Sequence, residues 1–229
     1  MVVVIEDDAI AKSGDPSIPH ATSPDPTVQK AKEAGTAAYA KAREATGHAV
    51  DALKILISDP LGGQGKACSL LGDAKAFQAG IVFGVFFLVS GYLILMELMH
   101  LEGTNINLEH RMGACVLGAV PVVALTLGCL LVGRVFGGKV NLSTAVFSAS
   151  VALLPFGIVT LAAYLLGFGN IELVGALTFF GICATILLLN ASLLDIQKLS
   201  TQKAFVVTPS LILLSSYIAK VIFAALIKD

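Results

Sequence analysis

A glycine-rich stretch with a Gly-Lys pair is the part of the sequence closest to nucleotide-binding chemistry. It reads DPLGGQGKA, from Asp59 to Ala67. A phosphate-binding loop needs Gly five residues before the Gly-Lys pair, and it needs Ser or Thr directly after that pair to bind Mg²⁺. Pro60 and Ala67 stand at those two positions. The sequence therefore predicts no nucleotide binding, and we interpret Pro60 and Gly62 as parts of an elbow between two helices.

The segment ELMHLEGTNINLEHR is the second candidate for chemistry, because it contains residue types that bind metals. Glu97 and His100 stand three residues apart, and Glu109 and His110 follow. A carboxylate-bridged dimetal site needs two Glu-x-x-His pairs and further glutamates inside a helix bundle, whereas this segment has one pair. We predict a solvated loop without a metal, in a protein without catalytic residues or a cofactor. An intramembrane enzyme stays an alternative that would need this loop to bind metal.

Long uncharged runs indicate the class of protein. Hydrophobic residues make up 56% of the chain and charged residues 14%, whereas soluble domains have roughly 25% charged residues. A helix crosses the hydrocarbon core in about 20 residues. Five runs without Asp, Glu, Lys or Arg are close to or above that length: 76–96, 112–133, 140–171, 173–194 and 204–219. Because these runs do not alternate as barrel strands do, we predict an all-α polytopic membrane protein with a bundle of five transmembrane helices.

The distribution of Lys and Arg predicts the orientation of this bundle. One side receives six of them, at positions 66, 75, 134, 139, 198 and 203, and the other side receives those at 111, 228 and 220. We therefore predict a cytoplasmic N-terminus and an outside C-terminus, with residues 77–229 as the transmembrane domain. The net charge of −1 gives no reason to expect a nucleic-acid partner.

Proline and alanine distinguish two segments before the bundle. Prolines at 16, 19, 24 and 26 predict a disordered or extended tail over residues 1–26. Residues 27–58 predict a cytoplasmic amphipathic helix with polar residues on one face and mainly alanine on the other, and residues 59–76 a glycine-rich elbow with a membrane-entry helix. A solvated tether is the alternative to a partner-binding helix. The candidate partner face consists of Ala38, Ala42, Ala45, Ala49 and Leu53.

Glycines and prolines within the predicted spans indicate how the helices pack. Gly80 and Gly84 have the GxxxG spacing that permits close approach of helices, within one protomer or between two. Pro121 and Pro155 lie inside predicted helices, where proline removes a backbone donor and bends the helix, and Gly157 follows closely. A homo-oligomer formed through small-residue faces stays an open alternative.

Three stretches together resemble the Yip1-domain family of five-span membrane proteins. They are Asp59-Pro60 with the glycine elbow, the sequence LPFG that contains Pro155, and the segment from Lys198 to Ala204. The resemblance implies a cytoplasmic N-terminus, five helices and an outward C-terminus. Eukaryotic members are linked to vesicle trafficking and small prenylated GTPases, and bacterial members often carry an N-terminal zinc ribbon. Because no CxxC spacing is present here, recognition by such a ribbon does not carry over. The alanine-rich helix and the absence of a trafficking-type N-terminal domain lead us to expect a bacterial-type member, without the zinc ribbon, in the inner membrane.

The leading hypothesis is a non-enzymatic membrane scaffold or adaptor that anchors or organises a membrane-associated complex, or shapes the membrane. Its expected partners are membrane lipids and a protein bound through residues 27–58. The alternative is a small-solute transporter or channel subunit, indicated by the proline-containing, glycine-rich helices. Ionisable residues inside spans mark transport paths, and here they lie at helix ends. Asn190, near the end of the fourth span, is expected to hydrogen-bond to a neighbouring helix.

Overall fold

The computed structural model describes residues 26–101, 108–138, 140–167 and 169–226, and within these ranges the ordered elements are all helical. The prediction of an all-α fold is confirmed. The predicted tail before Pro26 lies outside the described residues. So do residues 102–107 of the loop considered as a metal candidate. The six helices are α1 (Pro26–Ser58), α2 (Gly63–Leu101), α3 (Leu108–Val135), α4 (Leu142–Leu166), α5 (Ile171–Asp195) and α6 (Thr201–Leu226).

Proline determines both ends of α1. The helix begins at Pro26, in the first turn, where the missing backbone N–H costs no helical hydrogen bond, and it ends at Ser58. The next residue precedes Pro60, whose ring disfavours helical geometry at the residue before it. Among the described residues, those up to Tyr39 belong to one compact unit and those from Ala40 onward belong to another. In the second unit, Ala49, Ala52 and Leu56 of α1 are buried in one apolar cluster with residues of α2 and α4.

Five of the helices are long and apolar enough to cross a membrane. These are residues 63–101, 110–135, 142–166, 171–195 and 201–222, so the predicted number of spans is confirmed. Large apolar side chains are exposed along them, for example Val85, Leu127, Phe179 and Leu213. Such an apolar exterior is unfavourable in water and suited to lipid. The chain is therefore a multi-pass integral membrane protein.

A break at Gly72 divides the long helix α2. A straight helix of its 39 residues would be about 58 Å long, about twice the thickness of the hydrocarbon core. Gly72 has φ 69° and ψ 169°, a conformation that glycine adopts without a steric penalty. The break separates residues 63–71 from the longer part of α2. The end of the entry helix at residue 76 stays a prediction.

Helix α4 is central in the bundle, and small residues let α2 approach it closely. Half of the most apolar window of α4 is buried, against 11% for that of α5. A Cβ atom added to Gly80 of α2 would lie 2.9 Å from both Cα and N of Phe147 in α4. One at Gly84 would lie 3.1 Å from Oγ of Ser150. The GxxxG pair therefore packs inside the protomer, where it brings two helix backbones together.

The predicted prolines and Gly157 also lie within the bundle helices. Pro121 is inside α3 and Pro155 is inside α4, and both helices continue through them. A Cβ at Gly157 would lie 3.2 Å from the ring of Phe86 and 3.4 Å from Cα of Phe87. The contact of α2 with α4 thus extends along more than two helical turns, with glycines contributed by both helices.

We expect the substitution Gly80→Ala to destabilise the bundle, because the added methyl group would meet backbone atoms that cannot rotate away. Overpacking of this kind costs about 1–3 kcal/mol. Gly175→Ala in α5 is the matched control, since a Cβ there meets nothing within 4 Å and alanine favours helix. Thermal unfolding followed by circular dichroism in detergent measures the effect. Equal stability of the two variants would contradict this packing.

Candidate functional site

Asp59 organises the elbow, residues 59–62, between α1 and α2. Its Oδ1 accepts a hydrogen bond from the backbone N–H of Gly62 at 2.9 Å. Its Oδ2 accepts one from Nζ of Lys66 at 2.8 Å, and its backbone carbonyl accepts from the N–H of Gly63 at 2.8 Å. A side chain at Gly62 would collide with the Asp59 carboxylate, at 2.8 Å from Oδ2. The glycine-lysine motif therefore builds a turn around an internal carboxylate.

These hydrogen bonds stabilise the charged form of Asp59. The bond from the Lys66 ammonium contributes most and that from the Gly62 N–H contributes next, and together they hold the pKa of the carboxyl below its ordinary value of 3.8. The lysine of the motif is thereby already engaged with a neighbouring carboxylate. This arrangement differs from a phosphate-binding loop, whose lysine and backbone N–H groups point at the ligand.

The first turn of α2, directly after the elbow, contacts α5 through Gln64 and Gly65. A Cβ at Gly65 would lie 3.2 Å from Cβ of Asp195, the last residue of α5. The buried amide of Gln64 donates from Nε2 to the carbonyl oxygen of Leu188 in α5 at 3.0 Å. A donor from α2 therefore reaches a backbone acceptor far away in sequence. The first turn of α2 and the last turns of α5 consequently lie side by side.

The beginning of α4 closes the same end of the bundle, which we call the elbow end. Asn141 caps α4 by accepting from the N–H of Thr144 at 2.8 Å. Its Nδ2 donates to Oδ2 of Asp73, just after the break in α2, at 2.8 Å. One side chain thus satisfies a helix terminus and also connects α4 to α2.

These elements enclose an open groove of about 720 Å³ at the elbow end. Two cations and two carboxylates line it: Lys66 and Asp73 of α2, Asp195 at the end of α5, and Lys198 in the connection from α5 to α6. Asp195 and Lys198 make no side-chain hydrogen bond or ion pair in the described part of the chain, although the charge of Asp195 acts on Lys66. The lining residues are Gly62, Gly65, Lys66, Cys68, Ser69, Gly72, Asp73, Thr144, Asp195, Ile196 and Lys198.

The sequence alone does not identify this groove. Asp73, Thr144 and Asp195 come from three segments that only the fold brings together. The one signal in the sequence is that Lys66 and Lys198 both lie on the side of the bundle richer in basic residues. Neither position stands out without the α2–α4 and α2–α5 contacts.

The structure divides the predicted partner face into an exposed and a covered part. Ala38 and Ala42 are exposed, as is every side chain from residue 29 to residue 44. Ala45 and Leu53 are half-buried, and Ala49 is 4% exposed within the apolar cluster it shares with α2. Only the first part of the predicted face is therefore accessible to another molecule.

The other predicted positions fall into two regions. Asn190 accepts a hydrogen bond at Oδ1 from the hydroxyl of Thr208 in α6 at 3.3 Å, so the predicted bond to a neighbouring helix is confirmed. Two residues of the segment considered as a metal candidate, Glu97 and His100, lie at the end of α2. Within the described ranges, no group of three or more His, Cys, Asp or Glu side chains is placed to hold a metal ion.

No protein-family model, no curated protein and no solved structure matches this chain.

The Asp59–Lys66 pair predicts a characteristic loss of stability in acid. Because the folded-state pKa of Asp59 is lowered, its contribution is fully present above the ordinary value of 3.8 and is lost as the pH falls through the folded-state pKa. We expect acidification from about pH 5 to about pH 2 to lower the melting temperature of the wild type more than that of Asp59→Asn. Asp51→Asn, which removes an exposed carboxylate of α1, should respond like the wild type. An equal loss in Asp59→Asn would contradict a stabilising role for the pair.

Proposed function

We propose that the protein is a non-enzymatic membrane scaffold or adaptor, in which the bundle anchors α1 and α1 binds a protein partner. The observation that carries this proposal is the exposure of the helix over residues 29–44 on all sides. A helix segment whose side chains are exposed gains little from packing and is only marginally stable in water. A partner on the alanine face would supply the missing contacts. Partner binding there organises a membrane-associated complex or shapes the membrane.

The alanine face suits a partner helix. At Ala38 and Ala42 the side chains are small, so another backbone can approach closely, and the charged residues Lys41 and Glu44 flank that face. Tyr39 is 71% exposed and offers an aromatic ring whose burial would strengthen such an interface. A second copy of the same helix would satisfy these requirements as well, which makes a homo-oligomer one form of the proposal.

The proposal includes an orientation and a location. The elbow end carries Lys66, Lys75, Arg134, Lys198 and Lys203, whereas the opposite end has fewer basic residues, which supports a cytoplasmic N-terminus and an outside C-terminus. The resemblance to the Yip1-domain family supports the same orientation. We assign the protein to the inner membrane of a bacterium on that resemblance.

Photocrosslinking from α1 tests the adaptor function. Photoreactive residues at Ala38 and Ala42 should form adducts with one discrete protein in cells, because these positions face the proposed partner. Probes at Lys41 and Glu44 are the matched controls, since they are equally exposed but belong to the polar stripe. We expect several-fold fewer adducts from the controls. Equal adducts from both faces, or adducts to lipid alone, would contradict the proposal.

A deletion provides an independent measurement. Removal of residues 21–44 leaves Ala49, Ala52 and Leu56 in their buried cluster. Membrane insertion should therefore persist, whereas the partner identified by crosslinking should no longer co-purify with the shortened protein. A longer deletion that also removes residues 45–58 would uncover part of the bundle and confound the result.

A small-solute transporter or channel subunit is the second candidate function, favoured by one cavity. An apolar cavity of about 220 Å³ lies between the spans, next to Pro121 of α3. The hydroxyl of Thr185 lines it, is almost fully buried and makes no hydrogen bond among the described residues. Ser215 and Ser216 of α6 add two further hydroxyl groups. An uncharged polar solute fits this lining better than an ion.

Glycerol uptake into reconstituted vesicles tests this second candidate. If the cavity lies on a transport path, swelling in glycerol should exceed that of empty vesicles, and Thr185→Leu should reduce it by filling the cavity. Thr178→Leu is the control, because Thr178 is in the same helix, does not line the cavity and donates to the carbonyl of Val174. Swelling at the rate of empty vesicles would remove glycerol-type transport as a function.

A further inference from the structure

The groove at the elbow end lies at the level where the apolar spans end and the polar surface begins. Lys75 and Asp73 are the last charged residues before the uncharged run that starts at Ala76. Large apolar side chains are exposed next to groove residues in the chain: Leu70, beside Ser69, is 76% exposed, and Leu142, two residues before Thr144, is 55% exposed. A polar cleft bordered by exposed leucines at a membrane boundary matches a ligand with a charged head and apolar chains.

The charges of the groove occur in both signs. Lys66 and Lys198 supply ammonium groups, and Asp73 and Asp195 supply carboxylates. Asp195 and Lys198 make no side-chain hydrogen bond or ion pair in the described part of the chain, although the charge of Asp195 acts on Lys66. Both side chains therefore keep their full hydrogen-bonding capacity for a ligand. Lys66 and Asp73 each hold one partner and retain further donors or lone pairs, because an ammonium has three N–H groups and a carboxylate has about four acceptor sites.

We propose that this groove binds the headgroup of a zwitterionic phospholipid that carries a primary ammonium, as in phosphatidylethanolamine. The ligand phosphate accepts hydrogen bonds from the lysines, chiefly Lys198. The ligand ammonium donates to the carboxylates, chiefly Asp195. The acyl chains lie along the exposed leucines and the outer surface of α2 and α4. The site does not depend on the proposed adaptor function.

The chemistry of the groove discriminates among common headgroups. A primary ammonium donates hydrogen bonds to carboxylates, whereas the trimethylammonium of phosphatidylcholine has no N–H to donate. Phosphatidylglycerol has a phosphate but no cation, so it would leave the two carboxylates facing a like charge. The groove should therefore prefer phosphatidylethanolamine over both.

Native mass spectrometry of the full chain in detergent tests the site. Dioleoyl phosphatidylethanolamine, phosphatidylcholine and phosphatidylglycerol are titrated separately, and the lipid-bound fraction is measured. We expect phosphatidylethanolamine to bind on the order of fivefold more tightly than the other two, as partly solvated charge pairs permit. Asp195→Asn should abolish the preference over phosphatidylcholine. Lys198→Gln should weaken all three lipids while the preference stays.

Controls separate this site from general charge effects and from loss of fold. Lys75→Gln removes a charge from an exposed residue near the groove that does not line it and should leave lipid binding unchanged. Because Asp195 and Lys198 make no internal side-chain bonds, their variants should melt at the wild-type temperature. An excess of soluble glycerophosphoethanolamine is then added. A site that also binds the acyl chains should retain its lipid, whereas a site for the headgroup alone should release it. Equal binding of the three lipids, a preference unchanged in Asp195→Asn, or ready displacement by glycerophosphoethanolamine would overturn the proposal.

Discussion

The approach of the α2 backbone to the α4 backbone at Gly80 is the constraint on which the rest of the bundle depends. Inside a bilayer the lipid chains are as apolar as leucine, so helices associate through close packing rather than through expulsion of water. Only a residue without a side chain permits Cα of Phe147 to lie so near. Helix α4 also packs against α3 and α5, so the position of α2 is fixed relative to most of the protein. The bond from Asn141 to Asp73 connects the same helix pair at its polar end.

Among the described residues of α1, the buried side chains lie in the part of the helix next to the elbow. Ala49 and Ala52 are buried with Ala67, Ala76 and Ala79 of α2, and Phe83 and Phe147 belong to the same cluster. The alanines allow the helices to lie close together, and the two phenylalanines supply much of the buried apolar area. Beyond Ala45, toward the N-terminus, the described side chains are exposed. The same alanine pattern therefore serves internal packing at one end of the helix and an accessible surface at the other.

Much of the architecture could be predicted from the sequence, because uncharged runs of about 20 residues have one stable arrangement in lipid. The end of α1 before Pro60 also follows from a local steric rule. The break at Gly72 does not, since the sequence contains many glycines and nothing local distinguishes Gly72 from those that stay helical, such as Gly80 and Gly84. The division of the predicted partner face at Ala45 could not be foreseen either, because periodicity identifies a face but not what covers it. The groove depends on contacts between segments far apart in the chain, which one sequence cannot indicate.

The short connection between α4 and α5 has a consequence for biosynthesis. Residues 167–170 alone join the two helices, and they carry no charged side chain. Transfer of a charged side chain to the membrane centre costs roughly 2.5–3.5 kcal/mol on insertion scales, and from residue 140 to residue 194 the chain has one such residue, Glu172 in the first turn of α5. A Cβ atom added to Gly181 of α5 would lie 2.9 Å from the ring of Phe156 in α4, so the two helices are in direct contact. We therefore expect α4 and α5 to enter the bilayer together as one hairpin.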